Sequence, residues 1–201
     1  MDELNRRLSL LILAAEQSIP GAQRSNVGGW QSPGTVHTWA SPAVETLLEI
    51  INDGVRMLMT QVGGIDKRKD ESTGWSVAAW ANVNRRGDFN NIHHHNDSGR
   101  AFWSGVYYVA AGDETNSAGG FLVFRNPSAN GQIAKLTRAP ESVRKYFSSE
   151  LVIKPVSGLL LLFPSWLEHW VTPHCAEVPR ISVAFNVAFL IASKGTAAEP
   201  A

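Results

Sequence analysis

Four of the six histidines of this chain lie in two short stretches whose residue types could hold a metal ion. His93, His94 and His95 are consecutive, Asp97 comes two residues later, and His169 stands far downstream. In a β-strand, side chains two residues apart project from the same face, so His95 and Asp97 could act together. With His169 they would form the two-histidine, one-carboxylate set that holds non-haem Fe(II) and leaves coordination positions open. The alternative is a solvated loop that is rich in histidine by accident.

The segments around His169 have the patterns of β-strands. Residues 158–163 form an apolar run typical of a buried strand, and residues 167–172 continue in an extended pattern. Residues 173–179 begin and end with proline and predict a turn, in which His174 should be solvated. After the turn, small or polar residues alternate strictly with apolar ones, which predicts a strand with one polar face. That face consists of Arg180, Ser182, Ala184 and Asn186. A hairpin through the turn would bring Arg180 beside His169.

An arginine in this position suits an anionic cosubstrate. The guanidinium group is planar, keeps its charge, and can bind a carboxylate through two parallel hydrogen bonds. A molecule that chelates iron at one end and carries a carboxylate at the other would need such an anchor, and 2-oxoglutarate is such a molecule. The alternative is that Arg180 caps a turn or pairs with Glu177 at the surface. A surface ion pair contributes only about 0–1 kcal/mol.

These residues and several neighbouring motifs resemble the 2-oxoglutarate/Fe(II)-dependent oxygenase superfamily, and most closely a group of bacterial and phage 2OG-Fe(II) oxygenases. The similarity extends from about residue 29 to residue 188. The matching motifs are GWQS at 29–32, WANVN at 80–84, GDFN at 87–90, SGVYYV at 104–109, GFLVF at 120–124, NP at 126–127, Gly158, FPSWLEH at 163–169 and RISVAFN at 180–186. Each motif is weak alone, but together they are specific.

The resemblance implies a mainly β protein with N-terminal helices, folded as a double-stranded β-helix, or jelly roll. It also implies an enzyme that uses Fe(II), 2-oxoglutarate and O2 to hydroxylate an unidentified substrate, with release of succinate and CO2. Its metal ligands would be His95, Asp97 and His169, because the superfamily pattern is His-x-Asp and a carboxylate balances the charge of Fe(II). The smaller group has His-x-His in this place, which makes His93 the alternative proximal ligand. The eleven positions from His169 to Arg180 also suit the superfamily.

The resemblance further predicts a set of residues that bind 2-oxoglutarate. In related oxygenases a tyrosine on the strand beside the metal donates to the distal carboxylate. Tyr107 and Tyr108 are adjacent, so one of them must face inward, but the sequence does not decide which. The predicted set is Arg180, Ser182, Tyr107, Tyr108 and Asn186. Trp103 and Trp166 are predicted to line the substrate pocket, although core packing is the commoner role of tryptophan.

Two other classes of protein remain open. A three-histidine metal cupin or thiol dioxygenase would use His93, His95 and His169 but would not need Arg180 beside the metal. A non-catalytic jelly-roll binding module would keep the histidines without binding metal. Binding of metal and of 2-oxoglutarate separates these classes.

Length and composition predict one globular domain over residues 1–201, with a helical part at about 1–63 and a jelly-roll core at about 75–190. Two helices are predicted, at 3–18 and 42–62, the second with Ser41 as N-cap and Pro42 in its first position. Both should pack on the outer face of a sheet.

Composition also bounds the partners and the location. The net charge of zero argues against nucleic acid, and no apolar run is long enough to cross a membrane. The single cysteine fits a reducing compartment, so we expect a cytoplasmic protein. The substrate could be a small molecule or a protein side chain. The sequence does not decide the oligomeric state, and a homodimer is one option.

Overall fold

A computed structural model describes residues 2–63, 74–96, 99–113, 119–127, 140 and 148–190. Helix α1 spans Asp2–Ser18 and helix α2 spans Pro42–Gly63, which confirms both predicted helices. A short 3-10 helix, Val36–Thr38, lies between them. Helix α2 begins at the predicted proline because the fixed backbone angle of proline suits the first helical position, where its missing N–H costs nothing. In the part of the chain that the structure describes, neither helix has the length and apolar character needed to span a membrane.

Ten strands form two antiparallel sheets of five strands each. The strands are β1 (Asn26–Val27), β2 (Trp30–Gln31), β3 (Gly74–Asn84), β4 (Phe89–His93), β5 (Ala101–Ala110), β6 (Leu122–Arg125), β7 (Glu150–Ile153), β8 (Leu160–Pro164), β9 (His169–Val171) and β10 (Arg180–Leu190). The major sheet has the order β2-β3-β10-β5-β8, and the minor sheet has the order β1-β4-β9-β6-β7. Two facing sheets after N-terminal helices are the predicted jelly-roll architecture.

Strand β10 lies at the centre of the major sheet and separates two environments. Its apolar residues, Ile181, Val183, Phe185 and Val187, are buried against α1 and α2, together with apolar residues of β3 and β5. Its other face is turned toward the minor sheet, as the strict alternation in the sequence predicts. A second apolar cluster joins the two sheets and consists of Val106, Tyr108, Leu122, Phe124, Phe163 and Val171. The polar face of β10 therefore points into the space between the sheets.

The predicted hairpin between the strands that carry His169 and Arg180 is wrong. Strand β9 pairs with β4 and β6 in the minor sheet, whereas β10 pairs with β3 and β5 in the major sheet. Residues 172–179 thus cross from one sheet to the other. His169 and Arg180 still line the same cavity, because the two sheets face each other.

Gly105 allows close packing at the centre of the major sheet. An added Cβ would lie 2.3 Å from the ring of Phe185 and 2.5 Å from the carbonyl oxygen of Leu161. We expect Gly105→Ala to lower the free energy of unfolding by about 1–3 kcal/mol, the usual cost of overpacking. Urea denaturation measures this loss, with Gly34→Ala as the control, since no atom lies within 4 Å of that Cβ position. Equal stability of the two variants would contradict the prediction.

Candidate metal centre and anion pocket

Three histidines converge at one end of the space between the sheets. His93 ends β4 and His169 begins β9, and these two residues are paired across the strands. His95 follows β4, and its backbone N–H donates to the carbonyl oxygen of Ser165 at 2.8 Å. The ring centroids of the three imidazoles are 4.3 to 5.1 Å apart. One ligand nitrogen from each ring lies within 4.8 Å of the other two, which is a spacing that can hold a metal ion.

Hydrogen bonds orient all three rings in the same way. The Nδ1–H groups of His93 and His169 each donate to the carbonyl oxygen two positions earlier, at 2.8 Å. The Nδ1–H of His95 donates to Oδ1 of Asn186 at 2.8 Å, and the hydroxyl of Ser104 donates to the same oxygen at 2.8 Å. With the proton on Nδ1, each neutral ring carries its lone pair on Nε2. This is how metal-binding histidines are usually held, with the second nitrogen bound to an oxygen acceptor.

The environment of His169 keeps its ring neutral. Burial, and then the charge of neighbouring His93, lower the pKa of His169 to about 3. A buried imidazole loses the hydration that would stabilise its charged form, so its protonation is disfavoured. At neutral pH the ring is therefore deprotonated and able to bind a metal.

Arg180 forms the charged end of the same space and is only 2% exposed. Its Nη1 donates to Oδ1 of Asn84 at 3.1 Å and to the hydroxyl oxygen of Ser182 at 3.2 Å. Its guanidinium carbon lies 5.0 Å from the centre of the Tyr108 ring. Asn84 reaches Arg180 because the two residues are paired across β3 and β10. The sequence alternation of β10, together with this register, thus builds a polar pocket around one cation.

The donors of this pocket are suited to an anionic ligand. Arg180 Nε and Tyr108 Oη are both buried, and neither has a hydrogen-bond partner among the described residues. No carboxylate of the described chain forms an ion pair with Arg180. A buried cation without a counter-ion is strongly unfavourable, and so is a buried donor without an acceptor. A ligand carboxylate would supply the counter-ion of Arg180 and an acceptor for the Tyr108 hydroxyl, so the residues present fit the distal end of 2-oxoglutarate.

One small cavity connects the histidines with the arginine. It has a volume of about 50 Å³, and its lining includes His95, His169, Tyr108, Arg180 and Ser182. A larger open groove of about 950 Å³ adjoins it. The groove reaches the three histidines from outside and also contains Arg24, Trp80 and Asn186. A small ligand and a larger substrate could therefore meet at the same metal position.

The structure separates the predicted site residues into two groups. Those brought together are His93, His95, His169, Arg180, Ser182, Tyr108 and Asn186. Tyr107 faces the helices instead, and its hydroxyl donates to Oδ1 of Asn5 at 2.8 Å. Trp103 also packs on the helix side of the major sheet, and Trp166 is 53% exposed after β8. Adjacent residues of a strand face opposite ways, which is why Tyr107 and Trp103 lie on the side opposite Tyr108. Asp97 lies outside the described residues.

Trp80 and His174 lie near the site, although the sequence prediction assigned neither of them to it. Trp80 lines both cavities, and its ring lies 5.3 Å from that of His95. The alternation of β3 was the available signal, because Trp80 shares its face with Asn82 and Asn84. His174 is 2% exposed and not solvated as predicted, because the segment after β9 crosses to the other sheet and its backbone is hydrogen-bonded to Gly87 and Asp88. No local pattern in the sequence indicates such a crossing.

The comparisons with known proteins agree with this geometry. A family model described as "Putative 2OG-Fe(II) oxygenase" matches residues 78–186. No curated protein matches the chain. Among solved structures, a prolyl-4-hydroxylase of Pseudomonas putida is similar, with 20% identity, a TM-score of 0.62, and coverage of 93% of this chain and 86% of that one.

Two further structures extend the similarity of fold. One is a prolyl hydroxylase from Trichoplax adhaerens in complex with a hypoxia inducible factor peptide fragment, with 15% identity, a TM-score of 0.57, and coverage of 92% of this chain and 78% of that one. The other is HygX from Streptomyces hygroscopicus with nickel and 2-oxoglutarate bound, with 14% identity, a TM-score of 0.56, and coverage of 94% and 79%. Since the family pattern covers more than half of the chain, including the three converging histidines and Arg180, the protein belongs to the 2OG-Fe(II) oxygenases, enzymes that use Fe(II) and 2-oxoglutarate.

Proposed function

We propose that this protein is a 2-oxoglutarate-dependent hydroxylase that acts on a substrate bound in the 950 Å³ groove and releases succinate and CO2. The observation that carries the proposal is the small cavity between the sheets. Its lining combines the histidines His95 and His169 with the buried Arg180. Fe(II), when bound with 2-oxoglutarate and O2, supplies the oxidant that attacks a C–H bond. The protein's own residues bind and orient the metal and 2-oxoglutarate and shield them from solvent.

For the metal site we propose His93, His95 and His169, because these are the residues that converge. Their Nδ1 hydrogen bonds hold each ring with Nε2 as the ligand atom. The favoured sequence assignment, with Asp97 in place of His93, stays a prediction, because Asp97 lies outside the described residues. His95 and His169 belong to both assignments.

For 2-oxoglutarate we propose that Arg180 binds the distal carboxylate. Asn84 and Ser182 hold the guanidinium through Nη1, and Tyr108 supplies a buried hydroxyl beside it. A charge-assisted hydrogen bond from the guanidinium, together with one from the Tyr108 hydroxyl, fixes both the position and the direction of the ligand. The keto acid end would then point toward the histidines. Asn186 does not bind 2-oxoglutarate in this arrangement but orients His95 through a hydrogen bond.

The two adjacent tyrosines offer a matched test of this pocket. We expect Tyr108→Phe to weaken 2-oxoglutarate binding by roughly three- to tenfold, because one buried hydrogen bond is lost. Tyr107→Phe should leave 2-oxoglutarate binding unchanged and instead lower the free energy of unfolding by about 1 kcal/mol, since it leaves Asn5 without its donor. Calorimetry and urea denaturation measure the two effects. The assignment of Tyr108 would be wrong if Tyr107→Phe, and not Tyr108→Phe, weakened 2-oxoglutarate binding.

The groove favours a protein side chain over a free metabolite as the primary substrate. Its volume of about 950 Å³ is at the upper end of small-molecule sites. The described residues that line the groove include no carboxylate, and Arg24 contributes a guanidinium group to the lining. The similar enzyme from Trichoplax adhaerens was solved with a peptide fragment. We therefore propose a residue of a peptide chain as the site of hydroxylation, to be tested by mass spectrometry of peptide libraries for a gain of one oxygen atom.

Anaerobic titration with Fe(II) and then 2-oxoglutarate tests the proposed function directly. We expect one Fe(II) per chain, followed by the weak visible charge-transfer band of a 2-oxoglutarate chelate. On admission of O2, succinate should form. Metal binding without the band would favour the three-histidine enzyme that does not use 2-oxoglutarate. A correctly folded protein without metal binding would favour the non-catalytic module.

Location and assembly are proposals as well. The exposed thiol of Cys175 fits a reducing compartment, and we place the protein in the cytoplasm. A homodimer is the assembly to be tested by light scattering.

A further inference from the structure

His174 is buried beside the pocket although it lies in the segment that crosses between the sheets. Its side chain and backbone together are only 2% exposed. The backbone is held on both sides: its N–H donates to the carbonyl oxygen of Asp88 at 2.9 Å, and its carbonyl oxygen accepts from the N–H of Gly87 at 2.7 Å. A bridge to Gly119 adds a third tie. The backbone of His174 is therefore held in place.

The hydrogen bond of one ring nitrogen defines the role of the other. His174 Nε2 lies 2.7 Å from the carbonyl oxygen of Val178 and must be the protonated nitrogen, because a carbonyl only accepts. Nδ1 then carries the lone pair and is an acceptor. This buried Nδ1 has no partner among the described residues, and the same holds for the buried Nε–H of Arg180. One buried acceptor and one buried donor thus remain near the anion pocket.

Gly120 shows that these two atoms border the same space. Its φ is +68°, and a Cβ built on it would lie 3.1 Å from His174 Nδ1, 3.1 Å from Arg180 Cδ and 3.8 Å from Arg180 Nε. No direct hydrogen bond joins Nδ1 to Nε–H, but both atoms border the space beside Gly120, where a single water molecule can bridge two polar groups. A glycine at this position keeps that space clear of a side chain.

We infer that His174 is a positioning residue for Arg180 and acts through a water held between its Nδ1 and the Nε–H of the arginine. Asn84 and Ser182 hold one end of the guanidinium, Nη1. His174 holds the opposite edge, so the plane of the group is fixed before the carboxylate arrives. A fork of donors that is already aligned loses less entropy on binding. The inference rests on the proposed role of Arg180 in binding 2-oxoglutarate.

Two substitutions of His174 test the contributions of its two ring nitrogens separately. In His174→Asn the amide oxygen can take the place of Nδ1, whereas in His174→Gln the amide takes the place of Nε2 and can still reach Val178. We expect His174→Gln to weaken 2-oxoglutarate binding by roughly three- to tenfold, the effect of one hydrogen bond. His174→Asn should stay within about twofold of the parent. Calorimetry on the Mn(II)-loaded holoprotein measures both.

Oxalate binding distinguishes a specific loss at Arg180 from a general disturbance of the site. Oxalate can chelate the metal in the manner of the keto acid end, but it has no distal carboxylate to reach Arg180. We expect both variants to bind oxalate as the parent does. A parallel loss of oxalate and 2-oxoglutarate affinity would overturn the inference, and so would a larger loss in His174→Asn than in His174→Gln.

The parent protein supplies a test that needs no variant. Nitrogen-15 NMR distinguishes the two histidine tautomers, and the inference requires the proton of His174 on Nε2. A proton on Nδ1 would overturn it even if both variants failed to fold. If the Mn(II)-loaded parent bound oxalate but not 2-oxoglutarate, the proposed function would fail. If the parent bound 2-oxoglutarate normally but His174→Asn lost more affinity than His174→Gln, only the role of His174 would be rejected.

Discussion

Arg180→Ala is expected to weaken 2-oxoglutarate binding ten- to a hundredfold or more and to leave metal affinity nearly unchanged. The side chain is 2% exposed, and no described carboxylate is paired with it, so the ligand would supply its counter-ion. A charge-assisted, partly buried contact contributes roughly 1.5–3 kcal/mol, and about 1.4 kcal/mol corresponds to a factor of ten. Anaerobic calorimetry with the Fe(II)-loaded protein measures the change.

Two controls sharpen this experiment. Arg180→Lys should restore binding only in part, because a single ammonium cannot reproduce the planar fork of a guanidinium. Arg125→Ala should have no effect on 2-oxoglutarate, since Arg125 is half exposed and forms a surface ion pair with Glu168. If Arg180→Ala bound 2-oxoglutarate as tightly as the parent, the anchor would lie elsewhere and a metal enzyme that does not use 2-oxoglutarate would become the better reading.

His95→Ala and His169→Ala should each reduce Fe(II) affinity by at least about a hundredfold while the protein stays folded. Each substitution removes one of three converging imidazoles, and even loss of an outer-sphere partner of a ligand commonly costs ten- to a hundredfold. Iron content after dialysis and the midpoint of thermal unfolding without metal measure the two properties. Full iron occupancy in either variant would remove that histidine from the site.

The third ligand is decided by a second pair of variants. The structure leads us to expect that His93→Ala loses Fe(II) as severely as His95→Ala, and that Asp97→Ala retains most of it. The opposite result would establish the His-x-Asp assignment. His94→Ala is the matched control, because this histidine is the middle member of the run and is not part of the converging set.

Local patterns in the sequence predicted the elements well, but they did not predict how the elements cross. The alternation along β10 correctly separated the side chains facing the helices from those facing the pocket, because alternation is a property of one strand. The segment between His169 and Arg180 was different. Its prolines indicated a turn, but whether a turn closes a hairpin or passes to another sheet depends on the pairing of strands distant in sequence.

The same limit applied to single residues. Tyr107 and Tyr108 could not be distinguished until the register with β10 was known, in which Tyr108 is paired with the inward-facing Ser182. The spacing rule drew attention to His95 and Asp97. The proximity of His93 to His169 instead depends on the irregular pairing between β4 and β9, where the register shifts after Asn90. A bulge of this kind changes which side chains meet, and no short motif marks it.

The division of the pocket between two sheets has a consequence for ligand length. His93 and His169 belong to the minor sheet, and Arg180 belongs to the major sheet. A dicarboxylic acid that contacts both ends must therefore span a gap set by side chains such as Phe124 and Phe163, which pack between the sheets. We therefore expect the thickness of this core to discriminate 2-oxoglutarate from keto acids that are one methylene shorter or longer.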